Sequence, residues 1–359
     1  MKNFWEKLSK PFLALAPIAG YSDQPFRIIC KKYGADVLYS EMVSSEAIWH
    51  HSSPRIRVTS NLYKTLKLIQ FSRLEQPFVV QIFGANPEHI AFAGEYIASG
   101  KWYEDYDKIT RYKMQDTKKI QNPKIQFELK IVNCKLKIKS IPSGIDVNMG
   151  CPVHDVTKTG AGAALMKNPE LAVKIVKAFK KQVKNIPISV KTRLGWNQHD
   201  EILEFAKKME NAGADSITIH GRTYKEGFAG EVDWEMISKV KRQLKIPVIG
   251  NGGIDVENYR YIIEKYGLDG YMIARGALGH PWIFDRNLQF SINDLQSIKK
   301  NILKHAKLVQ EVKGEKGIIE FRKHLAWYMK GRSKSKEVRN KLVRVNSYQE
   351  IVKILENML

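Results

Sequence analysis

Ile188-Ser-Val-Lys-Thr192, the helical stretch Asp200–Ala212, then Gly213-Ala-Asp-Ser-Ile-Thr-Ile-His220 and a second helical stretch, Asp233–Leu244, decide the fold of this chain. The two short runs are the β-rich apolar segments of strands buried in a parallel sheet. Gly-Ala-Asp is a turn that ends a helix and feeds a buried strand. The same unit recurs in both directions. Leu13–Pro17, Asp36–Met42, Phe78–Phe83 and Ile145–Met149 lie upstream, and Val248–Gly250 and Gly270–Ala274 downstream, for eight strands in all. Between them run amphipathic stretches such as Pro169–Val183, with Leu171, Ile175, Val176 and Phe179 at helical spacing. Strand alternating with helix eight times predicts an α/β fold, the (β/α)8 TIM barrel. A doubly wound open sheet would want G-x-G-x-x-G after its first strand, where this chain has Ala16-Pro-Ile-Ala-Gly20.

The alternation stops near Asp285. Ile298–Lys313, Gly317–Lys330 and Tyr348–Leu359 read as helices with no strands between. The expected organisation is a barrel over residues 1–285 and an all-helical domain over 286–359. One segment breaks the barrel's rhythm. After the helix Pro87–Ala98, residues 100–143 intervene where a few residues would serve. The part from Lys101 to Tyr106 is polar and aromatic. Alternation of Ile125, Phe127, Leu129 and Ile131, then Leu136 and Ile138, predicts a short β-hairpin around Asn133. Lying between a helix and the next strand, the segment is expected as a surface insertion on the barrel's N-terminal face, away from the chemistry.

Composition narrows the class of protein. The 359 residues are 43% hydrophobic and 10% aromatic, enough for a core. No run approaches the roughly 18 uninterrupted apolar residues of a membrane span. Met1 to Pro11 lacks the features of a signal peptide. Cys30, Cys134 and Cys151 are too few and too scattered for a disulfide framework or a zinc site, which fits a cytoplasmic protein with no metal. Fifty-nine Lys+Arg against 37 Asp+Glu give a net charge of +22. Ser297–Asn346 alone holds 15 basic and 4 acidic residues, a net of +11, and Lys101–Ser143 a net of +6. An even compositional bias would not concentrate half the excess in fifty residues. A polyanion, most simply nucleic acid, is the expected partner of the C-terminal helices.

Barrel chemistry lives where strands end. After strand seven come Asn251-Gly-Gly253, and after strand eight Ala274-Arg-Gly276. Glycines for close approach, N–H donors and one guanidinium at those two ends make a phosphate site. The bland reading, glycines for tight turns, leaves Arg275 without a purpose. Lys191 ends strand five, where a lysine must be paired or in use. It can stabilise negative charge on a bound ring system, with Gln81 and His220 as hydrogen-bond partners on neighbouring walls. His220 alone reads as a satisfied core histidine. A ring of polar strand ends shifts that balance. Cys151, in Asn148-Met-Gly-Cys-Pro152 after strand four, sits at the mouth between residues that fix a loop. Its thiol is a candidate nucleophile or general acid, and a nucleophile would want a base such as His154 nearby. Cys30 and Cys134 read as structural.

The motifs as a set resemble the tRNA-dihydrouridine synthases, most nearly the bacterial B-type branch. The likeness runs from about Leu13 to Leu342. It rests on Ala16-Pro-Ile-Ala-Gly-Tyr-Ser-Asp-Gln-Pro-Phe-Arg27, Asn148-Met-Gly-Cys-Pro152, Lys191-Thr-Arg-Leu-Gly-Trp196, His220-Gly-Arg222, Gly250-Asn-Gly-Gly253, Ala274-Arg-Gly-Ala-Leu-Gly-His-Pro-Trp-Ile-Phe284 and Phe321-Arg-Lys-His-Leu-Ala-Trp-Tyr328. The resemblance implies an FMN-bound barrel followed by a tRNA-binding helical domain. NADPH would reduce the flavin, hydride would pass to C6 of a uracil in tRNA, and Cys151 would protonate C5. It also implies that Pro17, Ile18 and Ala19 lie by the isoalloxazine, that Gln81 and Lys191 touch its polar edge with His220 beside it, and that Asn251, Gly252, Gly253, Ala274 and Arg275 hold the phosphate. Asn148, Arg193 and Arg222 would meet the flipped uridine. A monomer is expected. The chain departs from the common pattern at Gly253, where Asp is usual, at Ala274, where Gly is usual, and at His280, where Asn is usual.

Two other functions fit an FMN barrel. An oxidoreductase acting on a small pyrimidine or related molecule would need neither the basic helical tail nor Phe321–Tyr328. A non-catalytic RNA-binding relative would not need Cys151, Lys191 and Arg275 together.

Overall fold

A computed structural model describes residues 3–51, 60–117, 141–287, 294–332 and 335–358. Eight parallel strands close into a barrel: β1 (Phe12–Leu15), β2 (Val37–Tyr39), β3 (Phe78–Phe83), β4 (Gly144–Met149), β5 (Ile188–Arg193), β6 (Ser216–His220), β7 (Val248–Asn251) and β8 (Gly270–Ile273). β1 pairs with both β2 and β8, and β2 pairs with β3, setting Leu38 opposite Phe78, so the sheet has no free edge. Val43–Ser44 adds a two-residue extension beside the end of β3. Each sequence-predicted strand is present, two of them (Phe78–Phe83 and Ser216–His220) with the expected bounds and the others with ends shifted by at most three residues.

Period-two alternation sorts the side chains. Leu13, Leu15, Leu38, Val80, Ile82, Ile145, Val147, Ile217 and Ile219 belong to the main core under the helices. Phe12, Ala14, Val37, Tyr39, Val79, Ile249 and Met272 form a second cluster inside the barrel, joined by Trp5, whose ring lies 5.7 Å from that of Phe12. Toward the C-terminal ends of the strands the alternating set turns polar, with Gln81, Asp146, Asn148, His220 and Asn251 all buried. The register aligns them in rows: Gln81 opposite Asp146 opposite Ser189, and Arg193 opposite His220 opposite Asn251.

The helices start where the sequence offers caps. Asp23, Asn86, Asn168 and Asp233 each accept a first-turn N–H, three of them followed by a proline at the first or second helical position. Beyond the barrel, Leu295–Tyr328 is two helical arms broken at Gly314, whose φ of +68° a non-glycine residue rarely adopts. The arms pack with Ser335–Leu342, a helix the sequence pattern did not reveal, and with Tyr348–Glu356. Their own core holds Trp282, Ile302, Val309, Phe321, Leu325, Leu342 and Ile351. This unit docks on the helix Gln24–Lys32 of the barrel. Lys313 bridges to Asp23 at 2.7 Å, and the buried His305 and His324 lie 5.8 and 4.9 Å from the Phe26 ring.

The expected surface insertion needs correction. Gly100, at φ +76°, turns the chain into a helix, Lys101–Thr117. Trp102, Tyr106 and Ile109 of that helix are buried in the barrel's main core, and Tyr106 stacks on Tyr63 at 5.4 Å. The first third of the segment is therefore load carried by the fold rather than decoration. The hairpin expected between Ile125 and Ile138 lies outside the described residues.

Candidate active site

The ends of β1 and β3 to β8 open into one cavity of about 1080 Å³. Its walls include Pro17, Ile18 and Ala19 after β1, Gln81 on β3, Asn148 and Cys151 at the end of β4, and Lys191 and Arg193 on β5. His220 on β6, Asn251, Gly252 and Gly253 at the end of β7, and Ala274 and Arg275 after β8 complete the ring. All the site residues picked from the sequence are thus brought to one cavity, save one. Arg222 is buried behind the wall, where its Nε donates to the Gly230 carbonyl. Trp327, Lys330 and Arg332 of the helical unit also line the cavity, so the two halves of the chain share it.

The thiol is held in its acid form. Burial pushes the Cys151 pKa up, against smaller downward pulls from a Val153 backbone contact, Arg193 and Lys191. His154 is exposed and makes no hydrogen bond to the thiol among the described residues. The group lacks the adjacent base that a nucleophile requires and keeps the proton that a general acid requires. Its loop is pinned on both sides. Asn148 Oδ1 accepts the N–H groups of Gly150 at 3.1 Å and Cys151 at 2.9 Å, and Arg193 Nε donates to the Gly150 carbonyl at 2.8 Å.

The cations have different duties. Arg193 spends three bonds on backbone, the Gly150 carbonyl and, through Nη1, the carbonyls of Thr223 and Gly227 at 2.9 and 2.8 Å. It ties the thiol loop to the loop after β6. Lys191 Nζ donates to Asn251 Oδ1 at 2.9 Å, while Asn251 Nδ2 donates to the Met272 carbonyl at 2.7 Å. Burial first, and Arg193 second, lower the Lys191 pKa to about 8. Arg275 is exposed at the rim and makes no ion pair or hydrogen bond among the described residues, resting its guanidinium 5.2 Å from the Phe228 ring. His220 is 8% exposed, and its Nδ1 has no partner. Burial, then Lys191, Arg193, Arg222 and Arg275, keep it neutral, with its pKa well below the usual value. Asp146, one row beneath, is pushed up by burial to about 6, with Ser189, Gln81 and Lys191 pulling the other way.

These features fit a flavin phosphate. An unspent guanidinium at the rim suits an anion. The orphaned, neutral His220 nitrogen can exchange a hydrogen bond with a polar ring edge. Gly252 and Gly253 adopt φ of +126° and +62°, so the turn after β7 favours glycine at both positions. A Cβ on Gly253 would press on Val232 Cγ2 at 3.1 Å, a second reason for glycine at this turn. No cluster of potential metal-ligating side chains occurs among the described residues.

The family model described as dihydrouridine synthase matches residues 14–104 and 119–359. The chain belongs to the dihydrouridine synthase family. Among curated dihydrouridine synthase relatives, it is 31% identical to the probable tRNA-dihydrouridine synthase 1 of Synechocystis sp., over 96% of this chain and 85% of that one. It is 32% identical to tRNA-dihydrouridine synthase B of Pasteurella multocida, over 88% of this chain and 83% of that one. The probable tRNA-dihydrouridine synthase of Aquifex aeolicus is 30% identical over 95% and 94%. Within the segment expected as an insertion, the synthase family model leaves out only residues 105–118.

Sequence reasoning missed Phe228. This synthase-family chain exposes 58% of that ring at the cavity rim, between the Arg193 and Arg275 guanidiniums at 5.4 and 5.2 Å. It lies in an aperiodic loop, where only the neighbouring Gly227 and Gly230 mark a turn. The loop is anchored by His199, whose Nδ1 meets Asp233 at 2.8 Å and whose Nε2 meets Glu226 at 3.1 Å.

Proposed function

We propose that the chain is a flavin-dependent tRNA-dihydrouridine synthase. It would bind FMN at the barrel mouth and use NADPH to reduce the C5–C6 double bond of uridines in tRNA. The observation that carries this reading is the protonated, base-free thiol of Cys151 at a cavity walled by Lys191, His220 and Arg275. When bound, FMN supplies the hydride for C6 of the uracil. The product is balanced by one proton at C5, which the Cys151 thiol donates and solvent restores. Arg275 and the Gly252–Gly253 turn would hold the phosphate. Lys191, with Gln81 and His220, would face the polar edge of the ring, and positive charge there favours an anionic reduced flavin. Asn148 and Arg193 would border the uracil, which must leave its stack to enter.

A macromolecular substrate is supported by the cavity's second wall. Trp327, Lys330 and Arg332 come from the helical unit, which carries the concentrated positive charge. A small pyrimidine would use none of it. Phosphate contacts from such residues give affinity without sequence readout. We place the enzyme in the cytoplasm, with tRNA.

Mapping dihydrouridine by mass spectrometry in unmodified tRNA treated with FMN-loaded protein and NADPH tests the reading. New dihydrouridine with wild type, and flavin that Cys151→Ala reduces but cannot reoxidise with tRNA, are the expected results. A protein that cannot be reconstituted with FMN would remove the proposal.

A further inference from the structure

Beneath the cavity lies a hydrogen-bonded chain that ends at the reactive thiol's loop. Asp146 is fully buried on β4 and does not line the cavity. Its Oδ1 accepts from Ser189 Oγ at 2.6 Å, and its Oδ2 from Gln81 Nε2 at 2.7 Å. Gln81 Oε1 accepts from Asn148 Nδ2 at 2.9 Å. Asn148 Oδ1 accepts the Gly150 and Cys151 N–H groups.

Each amide is engaged at both ends, so the sense of one fixes the sense of the next. A carboxylate accepts and does not donate. Gln81 must turn its NH2 to Asp146 and its carbonyl to Asn148. Asn148 must then turn its NH2 to Gln81 and its carbonyl to the loop. Reversing both amides would aim Gln81 oxygen at the carboxylate and Asn148 NH2 at two backbone N–H groups. The carboxylate at one end can only accept and the two loop N–H groups at the other can only donate, so both ends call for the same sense.

We propose that Asp146 is a positioning residue for Cys151: acting through Gln81 and Asn148, its carboxylate anchors the one amide arrangement that seats the Gly150–Cys151 backbone. The proposal rests on the reading of Cys151 as proton donor. Asp146 touches neither the thiol nor the cavity, and it acts only by holding in place the groups that do. Arg193 holds the Gly150 carbonyl independently, so the loop keeps its fold when the amide chain is disordered.

Two substitutions separate the sense of the chain from its presence. Asp146→Asn can bond Gln81 and Ser189 in either orientation, so the demand from that end is lost and only the loop N–H groups still set the sense. Asp146→Leu removes the acceptor. The FMN-loaded full chain is assayed in three ways: stopped-flow reduction of the flavin by NADPH, its reoxidation by unmodified tRNA, and alkylation of Cys151 by iodoacetamide, followed at the Cys151 peptide by mass spectrometry. For Asp146→Leu, the loss of one buried charged acceptor predicts reoxidation slower by about tenfold, a loss in kcat with KM little changed. Cys151 alkylation should be faster by a similar factor, and flavin reduction should stay within about twofold. Asp146→Asn should alkylate at a single rate between those of wild type and Asp146→Leu. Wild-type alkylation and reoxidation in Asp146→Leu would overturn the proposal, and so would flavin reduction falling in step with reoxidation. If Asp146→Leu does not fold, Asp146→Asn decides, and a wild-type alkylation rate there overturns it. Cys151→Ala is assayed alongside. Wild-type reoxidation there would defeat the reading of the thiol, while the alkylation results would still report whether Asp146 orders the loop.

Discussion

Arg27 offers a measurement that links the fold to the cavity wall. The side chain is 1% exposed, and its Nε bonds Glu75 Oε1 at 2.7 Å, with Glu75 itself at 0% exposure. Its Nη1 donates to the Ser22 carbonyl at 2.7 Å and its Nη2 to the Gln70 carbonyl at 2.5 Å. Ser22 in turn bonds Ile18 at both N–H and carbonyl, so Arg27 indirectly holds the Pro17–Ile18–Ala19 wall. Arg27→Met leaves Glu75 buried with only Gln24 Nε2 at 2.9 Å and the Ser72 N–H at 2.6 Å. Breaking one side of a buried pair costs about 3–5 kcal/mol. Adding Glu75→Gln removes the stranded charge, and the double variant should recover about half of that loss. Urea unfolding of all four proteins, followed by far-UV circular dichroism at pH 7, gives the cycle, and gel filtration with flavin absorbance reports FMN retention. The single variant should hold FMN less well than the double variant. A single variant within about 1 kcal/mol of wild type, or a double variant less stable than the single, would refute the argument that Glu75 is charged and dependent on Arg27.

His324 is buried and neutral between the barrel and the helical unit, its pKa lowered to about 4 by burial, with Asp23 pulling up and Lys323 and Lys313 pulling down. Because the folded value lies below the unfolded one near 6.5, its stabilising share is complete above that pH and fades as pH falls toward 4. Between pH 7 and 5 the wild type should lose about 2 kcal/mol that His324→Phe keeps, measured by urea unfolding at each pH. Trp102→Ala should cost about 3–5 kcal/mol in the same assay, whereas a surface insertion would lose almost nothing. FMN at about 100 times its Kd should stabilise the apoprotein by about 2.7 kcal/mol. Riboflavin at the same concentration should do markedly less for wild type and no less for Arg275→Met, as thermal melts will show.

Most of the barrel was legible because its signals are local. Each strand is a short apolar run with a turn before it, and each strand end shows its polar residue within the next few positions. That is how Lys191, His220 and Cys151 could be named and found at one cavity. The misses have a different origin. Asp146 stands in plain sight on β4, but its partners Gln81 and Ser189 lie 65 and 43 residues away. A buried carboxylate acquires meaning only from its acceptor geometry, which register alone supplies. Arg222 entered as a site residue through the family resemblance, but it lies beyond the strand that ends at His220, and its guanidinium turns to the Gly230 carbonyl, a contact in the following loop that no local pattern announces. The helix Lys101–Thr117 did carry a local signal, since Trp102, Tyr106 and Ile109 stand at i, i+4 and i+7. Its lysines and acids hid that stripe, and charge on the solvent face says nothing against an apolar face beneath.

The electrostatics of the site follow from the same separation of roles. Lys191, Arg193, Arg222 and Arg275 all act to depress the His220 pKa, so the cavity holds positive potential without a counterion of equal number nearby. Three of these cations are committed to protein acceptors: Arg193 to three carbonyls, Lys191 to Asn251 and Arg222 to the Gly230 carbonyl. Their charge persists while their geometry is fixed. Arg275 has no such commitment and is exposed, so it can move to meet an incoming anion. On the proposed function, a site built this way would select an anionic ring and phosphate by field, and position them by the residues that cannot move. The thiol gains from the arrangement as well. Neighbouring cations pull its pKa down and burial pushes it up more, so Cys151 stays protonated at neutral pH. The same cations would stabilise the thiolate left after proton transfer. A donor must be an acid before the step and a tolerable base after it; in the proposed reaction burial would serve the first need of Cys151, and the charges of Arg193 and Lys191 the second.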